Sequence, residues 1–211
     1  MVIGQRLGIK NKSENIIIYF LFRVMRKICY ICTMRKHNGM RPQDIVILLK
    51  IIAMDGHDWQ LSTLSSSLHI SISEISESLH RSRLAGLIDF SKKKVNRQNF
   101  IEFLEFGVKY VFPVELGTMA KGVMTAHSHP SIKDKFISDI NYIWPSATGE
   151  CRGLIVEPFY PRQVDAVADD EIFYKLLALV DILRVGRVRE IKYAIAELRK
   201  IVLHERSHQF S

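Results

Sequence analysis

The sequence predicts a mostly α fold with a small β component, ordered as a helix-turn-helix region, an irregular arm and a C-terminal helical hairpin. Three observations lead there. Between Gln60 and Lys94, two short helical patterns meet at a turn and run into a short apolar strand and three lysines. Five of the six prolines fall between 113 and 161, a density that prevents long regular elements. From Asp169 to Leu203, apolar residues recur at three- and four-residue spacing on both sides of Gly186.

Composition sets the broad class. At 47% hydrophobic and 25% charged residues the chain reads as a soluble globular protein. Three cysteines cannot form a disulfide framework, so a reducing, cytoplasmic setting is expected. The net charge of +8 points towards nucleic acid, but its distribution weakens that inference. Residues 1–39 carry eight basic residues against the single acid Glu14, so nearly all the excess sits there. Residues 69–99 keep a smaller patch of Arg81, Arg83, Lys92, Lys93, Lys94 and Arg97 against Glu74, Glu77 and Asp89.

The basic extension, 1–39, contains Ile16–Phe22, which Arg23, Arg26 and Lys27 interrupt well short of a membrane span. Cys29-x-x-Cys32 has no second pair and is a weak metal or redox signal. The composition break at Met40 suggests that translation starts there, with Met34 as the other candidate.

The region 40–97 begins with a helix from Pro42 to Met54, whose face is Ile45, Leu48, Leu49 and Ile52. Trp59 is expected in the core. Leu61, Leu64 and Leu68 mark a second helix, and Ser71 with Glu74 forms an S-x-x-E capping box for a third. On that third helix Ile72, Ile75, Leu79 and the Arg83 stem face inward; Ser73, Glu74, Ser76, Glu77, His80 and Arg81 face outward. Gly86 stops the helix as its C′ residue. Leu87–Phe90 follows as a strand, with Lys92, Lys93 and Lys94 at a hairpin tip.

The stretch 98–168 opens with a linking helix over 96–106 that ends at Gly107, followed by a strand over 108–112. A short helix from Ser131 to Asn141 buries Ile132, Phe136 and Ile140, and the remainder is an extended arm over its neighbours. The hairpin, 169–203, has one helix with Phe173, Leu176, Leu177, Val180 and Leu183 inside and negative charge at its N-terminus. A second, from Arg187 to Leu203, turns Ile191, Ala194, Ile195, Leu198 and Ile201 inward. Such a hairpin closes a core or pairs with its copy in a homodimer. Residues 204–211 form a tail.

Helix, turn, helix, then Leu79, Leu84, Gly86, Leu87 and Ile88 and the lysines, resemble the winged helix-turn-helix of bacterial transcriptional regulators, in particular the multiple-antibiotic-resistance (MarR) type. The resemblance spans roughly residues 42–97 and is a packing pattern without an invariant chemical residue. It implies a dimeric transcriptional regulator of double-stranded DNA. Ser73, Ser76, Glu77, His80 and Arg81 would lie at the major groove, and Lys92, Lys93, Lys94 and Arg97 on phosphates. Replacing Arg81 would then change sequence preference. Thr125–Ser128, Glu157–Pro161 and Ala178–Gly186 resemble segments of bacterial winged-helix proteins, some of which act as antitoxins. This leaves a protein-interaction module with a toxin partner as the alternative.

Enzymatic readings fare worse. His204-Glu205-x-x-His208 matches the zincin pattern, but only Gln209, Phe210 and Ser211 follow, so a third ligand is missing. His127-Ser128-His129 is a weak metal signal, since loop histidines more often bond to neighbouring backbone. No phosphate-binding glycine loop, nucleophile elbow or carboxylate pair is recognisable. The expectation is therefore a non-enzyme without a metal or other cofactor.

Overall fold

Pro42 sits where a helix has no use for an N–H, and α1 (Pro42–Ala53) starts there. The computed structural model describes residues 39–54, 56 and 58–203. The four apolar residues expected on one face of α1 are buried, and so are Val46, Ile47, Asp44 and Lys50. A helix that is buried on nearly every side lies inside the molecule. It packs against the later helices α3 (Ile72–Leu84) and α7 (Glu171–Val185).

Between them, α2 (Leu61–Leu68) buries Leu64 and Leu68, and the chain reverses through His69, whose φ of 54° is left-handed. The Ser71 hydroxyl accepts the Glu74 N–H at 3.3 Å, giving half of the predicted capping box. The other half is absent because the Glu74 carboxylate is held by Arg81 and Gln43. At the far end Gly86 (φ 73°) stops α3 as predicted: its N–H reaches the Arg83 carbonyl, and the Leu87 N–H reaches that of Ser82.

The predicted strand at Leu87–Phe90 shrinks to a single bridge between Ile88 and Val95. α4 (Arg97–Phe106) follows as expected, but the strand predicted over 108–112 is a second short helix, α5 (Val108–Val111). Gly107 keeps a right-handed conformation there, and its carbonyl accepts the N–H groups of Tyr110 and Val111, so the chain continues turning.

The arm contains the principal departure from expectation. It folds into a closed three-stranded sheet of β1 (Met119–Thr125), β2 (Tyr142–Pro145) and β3 (Cys151–Ile155). β1 runs antiparallel to both others, pairing Val123 with Trp144 and Lys121 with Arg152; β2 and β3 are parallel. Closure depends on missing side chains: a Cβ on Gly122 would lie 2.0 Å from the Trp144 carbonyl oxygen, and one on Gly149 would lie 2.1 Å from Gly122. The helix predicted over 131–141 stops after a 3-10 turn at Lys133–Lys135. Phe136 turns extended, its ring meets Tyr193 edge-on at 5.4 Å, and only Ile132 of the three predicted core residues is fully buried.

After the five-residue α6 (Gln163–Val167), α7 is capped by Asp170, whose carboxylate accepts the Phe173 N–H at 2.9 Å. All five predicted inward residues of α7 are buried, together with Ala178, Leu179, Asp181, Ile182 and Arg184. α7 is the central helix: it touches α1, α5, β1 and α8 (Val188–Leu203). On α8 the seam is Ala194, Leu198 and Val202, with Ile191, Ile195 and Ile201 half-buried. Residues 39–203 belong to one compact unit, so the sequence divisions at 97/98 and 168/169 fall within it. Among the described residues no helix is long and apolar enough to cross a membrane.

Candidate nucleic-acid interface

α3 has two chemically different sides. Ile75, Ser78, Leu79 and Ser82 are buried against the rest of the unit. Opposite them Ser73 and Ser76 are exposed and Glu77 and His80 half-buried, at the three- and four-residue spacing that forms one stripe along a helix. Two serines there let another surface come close while offering hydroxyls that both donate and accept. Ile72, expected inside, is 50% exposed at the first position of the helix.

Arg81 is a correction. It was expected on the outward stripe and is 5% exposed. Its Nε donates to Asp44 Oδ2 at 2.9 Å and its Nη2 to Asp44 Oδ1 at 2.6 Å, a forked charge-assisted pair with a fully buried carboxylate. Nη2 also reaches Glu74 Oε1 at 2.8 Å, and Glu74 in turn takes Gln43 Nε2 at 2.6 Å. The physical cause lies on α1, where the Asp44 side chain faces inward and draws the guanidinium across the flank of α3. Arg81 fixes the rotation of α3 and is not available to a base.

The hairpin behind α3 is organised by Asp89. Its carboxylate accepts the Lys93 and Lys94 N–H groups at 2.8 and 3.0 Å and the Ser91 hydroxyl at 2.5 Å. Burial opposes ionisation of this carboxyl, but the Ser91 hydroxyl and the backbone N–H groups of Lys94, Lys93 and Ser91 hold it below the ordinary carboxylate value. The basic side chains then divide. Lys93 donates to the Trp59 carbonyl at 2.9 Å and lies over the Trp59 ring at 4.4 Å. Arg97, expected on a phosphate, donates to the Val202 carbonyl at 2.7 Å and so ties α4 to the end of α8. Lys92 and Lys94 have no ion-pair partner among the described residues. Lys92 is half-buried at a left-handed φ of 59° and Lys94 is exposed.

Arg83, expected to turn its stem inward, and Phe90 connect the parts of this surface. The Arg83 guanidinium lies 5.3 Å from the centre of the Phe90 ring, and Phe90 is 86% exposed at the hairpin tip. The hairpin therefore stands beside the last turn of α3. An aromatic followed by a serine–lysine run was the available signal, and it was absorbed into the supposed strand.

The remaining sequence motifs lie elsewhere. His127 Nε2 is 3.0 Å from the Ile140 carbonyl, and His129 Nδ1 accepts the Ser131 N–H at 3.2 Å, so both rings are occupied by neighbouring backbone. Among the described residues no cluster of three or more His, Cys, Asp or Glu side chains is placed to hold a metal ion. The cysteine pair at 29 and 32 and the histidine pair at 204 and 208 lie outside the described residues. The chain matches no family of known proteins, no curated protein and no solved structure.

Proposed function

We propose that this chain binds double-stranded DNA in a sequence-dependent way, as a dimeric transcriptional regulator of winged helix-turn-helix type. The observation that carries the reading is the stripe Ser73, Ser76, Glu77 and His80, presented to solvent by a helix whose opposite side is anchored. A helix of this kind fits the major groove, and short hydroxyls with an imidazole suit base edges. Lys92 and Lys94 at the adjoining hairpin supply phosphate contacts, which add affinity without sequence information. Arg81 has no part in recognition, and Arg97 and Lys93 contribute through placement of the hairpin and α4.

The test is fluorescence anisotropy against DNA from upstream of the chain's own gene, with scrambled DNA beside it, at two salt concentrations. Lys92→Ala with Lys94→Ala should weaken binding on both DNAs and flatten the salt slope by about 2. His80→Ala should instead reduce the preference for the cognate DNA, by about 1–3 kcal/mol if it makes a paired base contact. Wild-type binding by both variants would overturn the assignment of this surface.

A second reading, a protein-interaction module such as an antitoxin, has one observation in its favour: Phe106, Tyr110 and Val111 are exposed along α4 and α5. Absence of any DNA binding, with co-purification of a protein encoded beside the chain, would favour it.

A further inference from the structure

The histidine loop leaves two buried ring nitrogens without a hydrogen-bond partner, His127 Nδ1 and His129 Nε2, and the second belongs to a residue that lines a cleft. His129 is 5% exposed, and its Nδ1 accepts the Ser131 N–H, which assigns the remaining ring proton to Nε2. That Nε2–H has no hydrogen-bond acceptor. Burial, with the nearby Lys175 ammonium, lowers the His129 pKa to about 4, so the imidazole is a neutral donor at pH 7. An unsatisfied buried donor costs about 1–3 kcal/mol. The loop also holds Ala126 at a φ of 50°, a left-handed conformation that costs a non-glycine residue about 1–2 kcal/mol. Strain and an unpaired donor in one loop are features that concentrate where a ligand completes the site.

The same His129 lines a cleft of about 340 Å³ together with Ser131, Glu171, Ile172, Tyr174 and Lys175. That size suits a small molecule. Glu171 and Lys175 lie one turn apart on α7 and bring opposite charges to the cleft. Lys175 Nζ is 3.1 Å from Glu197, but Glu197 is shared with Lys200 at 2.9 Å, so positive charge remains at the Lys175 end. Glu171 has no ion-pair partner among the described residues. Ile172 is 56% exposed, and the Tyr174 ring, fixed by its hydroxyl bond to the Met124 carbonyl, supplies a second apolar wall.

We propose that this cleft binds a small zwitterion of the α-amino-acid type with an apolar side chain. Its carboxylate lies towards Lys175 and the His129 wall of the cleft, its ammonium towards Glu171, and its side chain against Ile172 and the Tyr174 ring. A plain anion would meet Glu171 unfavourably and a plain cation would meet Lys175; a molecule carrying both charges matches both ends.

Isothermal titration of the full chain at pH 7 tests this with L-leucine, N-acetyl-L-leucine and L-leucinamide as probes. Leucine should bind saturably, and each derivative, lacking one charge, should bind about 10-fold or more weakly. Glu171→Gln, on an exposed side chain that leaves folding intact by circular dichroism, should weaken leucine about 10-fold and leave N-acetyl-leucine no weaker than on the wild type, since a repulsive charge has been removed. No saturable binding of leucine up to about 10 mM, equal binding of all three probes, or indifference to Glu171→Gln would each overturn the proposal.

Discussion

Asp44 and Asp181 are both fully buried and each is paired with an arginine whose side chain is 5% exposed, yet the two pairs hold different things together. Asp44 meets Arg81 across 37 residues, so the pair joins α1 to α3 and sets which side of α3 faces solvent. Asp181 meets Arg184 within one helix at 2.8 Å and gathers strand and loop segments instead. Its Oδ2 accepts the Trp144 indole N–H at 2.6 Å and the Thr125 hydroxyl at 2.9 Å, while Arg184 donates to the carbonyls of Phe112 and Glu157 at 3.1 Å each. In the first region a charge pair orients a regular element. In the second it anchors β1 and β2 to the helix through their side chains and collects the backbone carbonyls of Phe112 and Glu157, which lie outside regular elements.

That contrast can be broken from either side. Asp181→Asn keeps volume but sets an NH₂ group against the donors now converging on the carboxylate. We expect a loss near the upper end of the roughly 3–5 kcal/mol that follows breaking a buried pair, read as a fall in the urea midpoint. Arg81→Met should fall near the lower end of that range, about 3 kcal/mol, because Asp44 retains the Arg41 N–H at 2.8 Å. A larger loss for Arg81→Met than for Asp181→Asn would reverse the ranking of the two networks.

The loop that follows Thr125 sharpens the comparison further. The folded-state pKa of His129 lies at about 4, below its ordinary 6.5, so the folded chain binds fewer protons than the unfolded one between those values. Its contribution is complete above pH 6.5 and is lost as pH falls towards 4, by no more than about 3 kcal/mol. His129→Asn should show a shallower decline in urea midpoint between pH 7 and 4.5 than the wild type. Parallel declines would mean that protonation of His129 is not what weakens the fold in acid.

The same two regions explain what could be read in the sequence. Residues 42–86 were legible because Leu64, Leu68, Ile75 and Leu79 repeat with helical period and Ser71 and Gly86 mark boundaries by local hydrogen bonding. Arg81 was misplaced because period alone assigns a charged residue outward, whereas its position follows from Asp44, 37 residues away. The strands were missed for a related reason. Their short runs contain Gly122, Pro145 and Gly153, which argue against regular structure locally, and the two glycines permit close backbone approach only once the sheet has closed. The histidines at 127 and 129 were correctly read as bonded to backbone; the unsatisfied Nε2 was not legible, since it depends on which side chains surround it.

Closure of that sheet has a further consequence. Each of β1, β2 and β3 is paired with the other two, so among the described residues no strand is a terminal member with a neighbour on one side only. Edge-to-edge recruitment of another chain, the route by which open sheets aggregate or capture extended peptides, has no outer strand to use here. Self-association through this region therefore has to proceed through side chains, and a short proline-containing segment is spared the gatekeeping charges that an open sheet of the same length would need.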